Sequence, residues 1–175
     1  MVSRALLFLD VDGTLLPNYG EKLDATLVDW QEWQTHRNPR LPRVDRSHGQ
    51  RLQSLACDLI WATAWMHHAN EVIAPLLGLP SLPVADLPEA PLEDPIGTLG
   101  WKTAGLVAAA EGRRFVWLDD EISDIDRAWV STHHKGAALL HRVDSKSGLT
   151  EADLTAVGEW LDHSESETGA HSEMS

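Results

Sequence analysis

Cysteine is nearly missing from this sequence: Cys57 is the single one among 175 residues. A lone cysteine excludes an internal disulfide and any metal site built from several thiolates. Long apolar runs are missing as well. None approaches the roughly 20 residues that a bilayer-spanning helix needs. The opening stretch MVSRALLFLDVDG reaches its first acid after a few apolar residues and lacks a signal peptide's h-region and cleavage site, so a cytoplasmic protein is expected. Positive charge is scarce, with 14 Lys and Arg against 27 Asp and Glu, a net charge of −13 and a pI near 4.9. Residues 151–175 hold seven of the acids and no Lys or Arg. This balance argues against non-specific binding to duplex nucleic acid or to an anionic membrane. A phosphorylated substrate held by a metal and a few local cations remains compatible with it.

What is present suits one soluble domain: 43% hydrophobic residues, 23% charged, and a mass of 19.4 kDa. The domain is expected over 1–162. The tail 163–175, HSESETGAHSEMS, is polar enough to predict disorder. Short apolar runs at 5–11, 55–62, 114–118 and 136–141 read as buried parallel strands, two of them ending in acids. Segment 81–86 is a weaker edge candidate because Pro83 cannot donate to a ladder. Helical patterns lie between the runs. One at 47–56 starts at Ser47 as a potential N-cap, and one at 66–77 is interrupted by Pro75. Others cover 101–111, then 123–133 from Ser123, then 150–161 from a Thr150–Asp153 capping pattern. Alternating strands and helices predict an α/β, Rossmann-like three-layer sandwich around a mostly parallel sheet. Residues 16–46 form an insertion, read as a flap or minimal cap, and 80–100, with five prolines, reads as a rigid loop.

The sharpest motif is Asp10-Val11-Asp12-Gly13-Thr14 at the end of the first run. Residues two apart on a strand share a face, so both carboxylates leave the sheet edge together. Such a pair repels itself unless a cation intervenes, and Mg²⁺ suits an all-oxygen site. Three companions follow in order: Thr63 after the second run, Lys102 at a helix start, and Asp119-Asp120-Glu121-Ile122-Ser123-Asp124 after the third. The Thr hydroxyl can bond a phosphoryl oxygen, and the Lys can neutralise phosphoryl charge.

This four-part series resembles the haloacid dehalogenase (HAD) superfamily, whose members share an Asp-x-Asp-Gly-Thr motif, a strand-end Thr or Ser, a Lys and a closing acidic motif. The resemblance spans about three-quarters of the chain. It implies a HAD-type phosphatase that hydrolyses phosphomonoesters with Mg²⁺ and an aspartyl-phosphate intermediate. Asp10 would be the nucleophile. Asp12 would protonate the leaving group, activate water, and offer its backbone carbonyl to the metal. Thr63 and Lys102 would hold the phosphoryl group. Asp120 would be a metal ligand, with Asp119 or Asp124 as the second acid. Gly13, Thr14, Ala64 and Trp65 flank these residues and are expected around the substrate. The stretches 60–70 and 117–121 are similar to a small HAD group linked to RNA-repair proteins, which points to a nucleotide or nucleic-acid end beside a small phosphometabolite as substrate. Two rival readings are a non-catalytic binding or regulatory module on a HAD scaffold and a phospho-receiver domain. The receiver carries its phosphoacceptor after the third strand, which the order here does not match.

The insertion concentrates Arg37, Arg40, Arg43 and Arg46, with Arg51 just beyond and Trp30 and Trp33 before. Arg40 and Arg43 are candidate phosphate grips. The competing reading is a solvated basic loop over inward-packed tryptophans. Eight tryptophans is a high number. Trp61 and Trp117 read as core, and Trp65 and Trp101 as core or pocket wall. His67 and His68 read as surface residues.

Overall fold

A computed structural model of the chain describes residues 3–21, 23–93 and 95–170. Its centre is a four-stranded, all-parallel sheet in the order β2-β1-β3-β4. The strands are β1 (Ala5–Leu9), β2 (Cys57–Trp61), β3 (Phe115–Asp119) and β4 (Ala138–Arg142). Leu9 lies level with Trp61 on one side and with Leu118 on the other. Because every strand runs the same way, all four chain exits fall on one edge.

The two-residue repeat of β1 divides its side chains between two cores. Ala5, Leu7 and Leu9 pack with Leu52 of α2 (His48–Gln53), Leu77 of α3 (Ala74–Leu77), and Leu154 and Val157 of α6 (Glu151–Ala170). Leu6 and Phe8 pack with Leu106 of α4 (Thr103–Ala110) and Val130 of α5 (Asp124–His133). Leu7, Phe8 and Leu9 are fully buried, and burial of this kind stabilises by about 1.5–3 kcal/mol per side chain. The outcome is the expected three-layer α/β sandwich.

Local chemistry sets the helix ends. Ser123 and Asp126 form a capping box at α5, and Thr150 and Asp153 exchange the same reciprocal bonds at α6. Ser47 makes no cap bond. Asp45 instead accepts from the Ser47 amide and hydroxyl, closing the turn just before α2. Pro75 falls in the first turn of α3, where a missing N–H is harmless, and residues Ala69–Ile73 before it widen into a π-helical turn. Segment 81–86 is no strand: it makes a single bridge, with Trp61 N–H donating to Pro83 O at 2.9 Å and Ala85 N–H donating to Trp61 O at 2.8 Å. Helix α6 runs on to Ala170, past the expected start of a disordered tail at 163; no proline interrupts it, and it tolerates Gly158 within it. Residues 171–175 lie outside the described residues.

The insertion packs down as part of the core. Its short α-helix, α1 (Trp30–Trp33), is capped by Asp29, which accepts from the Gln31 and Glu32 amides, and a 3-10 turn follows at Leu41–Arg43. Trp33 and Val44 join the β1 core, and Asn38 Nδ2 donates to Trp33 O at 2.9 Å in a buried contact.

Candidate active site

The sheet edge collects the motif residues. Asp10 follows β1 and anchors its amide on Leu118 O at 3.1 Å. The chain then turns tightly, with Gly13 N–H donating to Leu16 O at 2.9 Å. Gly13 sits at φ +78°, and a Cβ there would collide with the Asp120 carboxylate, so only glycine suits both the turn and the approach of that acid. Thr63 leaves β2, Asp119 and Asp120 leave β3, and Lys102 sits immediately before α4.

Lys102 is the hub. Its Nζ donates to Asp10 Oδ1 at 2.8 Å and to Asp119 Oδ2 at 2.6 Å, and all three side chains are buried. Thr14 Oγ1 donates to Asp10 Oδ2 at 3.2 Å. Asp119 is held further by Trp117 Nε1 on Oδ2 at 3.2 Å and by the Glu121 amide on Oδ1 at 3.0 Å. Asp10, Asp119 and Asp120 bring ligand oxygens within 4.8 Å of one another. One ammonium thus faces three carboxylates.

The titration of these groups reflects that imbalance. Burial, then the charge of Asp119, pushes the Asp10 carboxyl up to about 8 against the opposing pull of Lys102. Burial, then Asp10 and Asp119, pushes Asp120 up to about 10. For Lys102, burial favours the neutral amine, but Asp10 and Asp119 outweigh it and hold the ammonium above its ordinary range. A cluster this short of positive charge, with only oxygen donors, fits Mg²⁺. Asp10, Asp119 and Asp120 are the residues that would hold it.

Asp12 is treated differently. Its Oδ1 accepts from Trp33 Nε1 at 2.9 Å and its Oδ2 from Trp65 Nε1 at 2.9 Å. Burial holds its carboxyl above the usual range, and the two indoles and Lys102 offset only part of that rise. The Asp12 side chain therefore lies apart from the three-acid cluster. Thr63 is buried and its Oγ1 accepts from the Trp65 amide at 3.2 Å, which leaves its O–H as a donor.

Other expected residues are placed elsewhere. Asp124 is no cluster member: its side chain is fully exposed on the first turn of α5, 4.0 Å from Arg127. Residue 120, not 124, is level with Gly13 and Asp10. Arg40 and Arg43 are not free grips. Both bond Glu21, at 3.0 and 3.1 Å, and Arg43 also donates to Pro17 O and Asn18 O. They lie over the rings of Trp33 and Tyr19 respectively and hold the insertion together. Ala64 offers its carbonyl to Gln34 Nε2 at 3.0 Å, so the insertion covers it. Trp61 and Trp117 are core, and Trp65 is both fully buried and bonded to the motif. Trp101 is half-buried with Lys102 Nζ 5.4 Å from its ring centre. His67 and His68 are exposed, and His68 pairs with Glu71 at 3.3 Å.

Asp126 is a positioning residue that the sequence reading passed over. It is buried and accepts from the Gly100 amide at 2.8 Å, Thr103 Oγ1 at 2.6 Å, and the amide and hydroxyl of Ser123. It ties the start of α4, and so Lys102, to the start of α5. The Ser-x-x-Asp spacing at 123–126 carried the signal.

A parallel sheet bearing this cluster on its carboxyl edge is the architecture of the HAD superfamily. Within it, the chain belongs to the family described as the HAD domain in Swiss Army Knife RNA repair proteins, whose model matches residues 6–154. No curated protein matches the chain. Among solved structures, the HAD domain of the effector protein Lem4 from Legionella pneumophila is similar, with a TM-score of 0.50 at 12% identity, over 91% of this chain and 93% of that one. At that identity the likeness speaks for the fold alone.

Proposed function

We propose that the protein is a Mg²⁺-dependent phosphomonoesterase working through an aspartyl-phosphate intermediate on Asp10. The observation that carries this reading is the buried bridge from Lys102 Nζ to Asp10 and Asp119, with Asp120 beside them. A structural core has no use for three clustered carboxylates, whose burial is costly unless a cation is expected. Mg²⁺, when bound, would neutralise the phosphate and the acids that hold it.

An Asp10 carboxylate oxygen attacks phosphorus, and the bond from phosphorus to the ester oxygen breaks. Asp12 gives its proton to the departing alkoxide. In the second half, Asp12 takes a proton from water as the water oxygen attacks phosphorus. The Asp10–phosphorus bond breaks and inorganic phosphate leaves. Lys102 and the Thr63 hydroxyl stabilise the transferring phosphoryl oxygens. The family description supports a phosphate on a nucleotide or nucleic-acid end as the substrate class, with small phosphometabolites as the other panel members.

The test is phosphate release from mononucleotides, sugar phosphates and 5′- or 3′-phosphorylated oligonucleotides. Each is run with Mg²⁺, with chelator, and with Asp10→Asn. Metal-dependent turnover abolished in Asp10→Asn is expected. Turnover that survives either chelation or Asp10→Asn defeats the mechanism, and silence on the whole panel favours a non-catalytic module.

A further inference from the structure

Three of the eight indoles donate into the acidic groups: Trp117 to Asp119, and Trp33 and Trp65 to Asp12. The Asp12 pair is unusual in its source. Trp65 is fully buried beside Thr63, 53 residues along the chain, and belongs to the fixed scaffold. Trp33 comes from the insertion. Building on the phosphatase reading, we infer that Trp33 is a positioning residue for Asp12, which makes the insertion a working part of the acid–base step and not merely a cover.

The physical case begins with the donor. An indole N–H donates and never accepts, so neither tryptophan competes for the proton that Asp12 must pass. Each fixes one carboxylate oxygen at 2.9 Å, which sets the plane of the group while leaving a lone pair on each oxygen for the proton in transit. Trp33 is itself held from every side. Asn38 Nδ2 binds its carbonyl, its amide donates to Asp29 O at 2.8 Å, and Trp30 meets its ring edge-on at 6.3 Å. Arg40 covers its face at 5.3 Å and is anchored by Glu21. Gln34, the next residue, latches the insertion onto Ala64 O. Arg40, Trp30 and Asn38 thus converge on Trp33, and through its indole on one carboxylate. Any buried indole N–H needs an acceptor; that of Trp33 is a motif carboxylate 21 residues back, where that of the core residue Trp61 is Asn70.

The decisive variant is Trp33→3-benzothienylalanine, which keeps the ring shape and replaces the N–H with sulfur; Trp33→Phe is its natural counterpart. The readout is kcat/KM on ethyl phosphate, whose alkoxide needs a proton to leave, against p-nitrophenyl phosphate, whose phenolate does not. A hydrogen bond to a charged group is worth about tenfold or more, so ethyl phosphate is expected to lose roughly tenfold beyond any loss on the nitrophenyl ester. In an Asp12→Asn background the same replacement is expected to add nothing. In parallel, ¹⁵N–¹H spectra of the metal-free protein follow the indole signals. Asp12→Ala is expected to move those of Trp33 and Trp65 and to leave that of Trp61, which donates to Asn70. Equal loss on both esters, or no loss, overturns the inference and leaves the phosphatase reading standing. Unmoved Trp33 and Trp65 signals also overturn it. A wild-type protein inactive on both esters and on the phosphate panel overturns the phosphatase reading and the positioning role of Trp33 together, whatever the spectra show.

Discussion

Replacing Lys102 with Met removes the one ammonium facing three clustered acids, two of them buried, while keeping most of the side chain's volume. The two ion pairs it breaks are 2.8 and 2.6 Å long, and the groups on both sides are more than nine-tenths buried. A buried pair that loses one partner costs about 3–5 kcal/mol, because the charge left behind has no water to turn to. Asp10, pushed up to about 8, can answer the loss by taking a proton, so the lower part of that range is expected in metal-free protein near neutral pH. Mg²⁺ is expected to recover part of the loss, and to stabilise the variant more than the wild type, since the variant's acids have nothing else to neutralise them. Ligand binding at a hundred times its Kd supplies about 2.7 kcal/mol. The assay is urea unfolding of both proteins, in chelator and in excess Mg²⁺. A metal-free loss below about 1 kcal/mol would refute the reasoning, as would identical responses of both proteins to Mg²⁺. Activity in Lys102→Met is expected to fall by about a hundredfold or more at saturating Mg²⁺.

Asp124→Asn is expected to leave Mg²⁺ affinity, measured by calorimetry, unchanged, because its carboxylate is fully exposed and outside the cluster. Gly13→Ala is expected to destabilise by about 1–3 kcal/mol from its left-handed φ alone, and to weaken Mg²⁺ binding by displacing Asp120, both read by titration and unfolding. Asp126→Asn is expected to cost about 2–3 kcal/mol at neutral pH through the bonds to Gly100, Thr103 and Ser123. Burial opposes those bonds, but they win and hold the Asp126 carboxyl below its usual range. Its stabilising effect is therefore full above the unfolded carboxyl's pKa of about 3.9 and fades as pH falls through the lower folded value, so the stability gap between wild type and variant should close in acid.

The sheet was legible because its central strands, β1 and β3, are buried on both faces and all four read as apolar runs, each within a few residues of where it lies. Asp10, Thr63, Lys102 and the 119–120 pair were legible because parallel strands bring their exits to one edge, whatever the separation in sequence. Three things were not. The choice among Asp119, Asp120 and Asp124 depends on how sharply the chain turns into α5, which the capping box at Ser123 sets. Arg40 and Arg43 looked like part of a free basic loop because their partner, Glu21, lies some twenty residues back and follows no periodic pattern. The tryptophans looked like packing because an indole that packs and one that donates share the same hydropathy. Only its acceptor distinguishes Trp33, and that acceptor belongs to another element.

Turnover by this mechanism requires that Asp10 become phosphorylated. Asp12→Ala should trap that state with p-nitrophenyl phosphate and Mg²⁺, because nitrophenolate leaves unassisted while hydrolysis lacks its base. Acid quenching and peptide mass mapping are then expected to find a phosphoryl group on the peptide carrying Asp10, and none in Asp10→Asn. Steady turnover by the wild type with no label on Asp10 in the trapped variant, or label on another residue, would rule out Asp10 as the nucleophile.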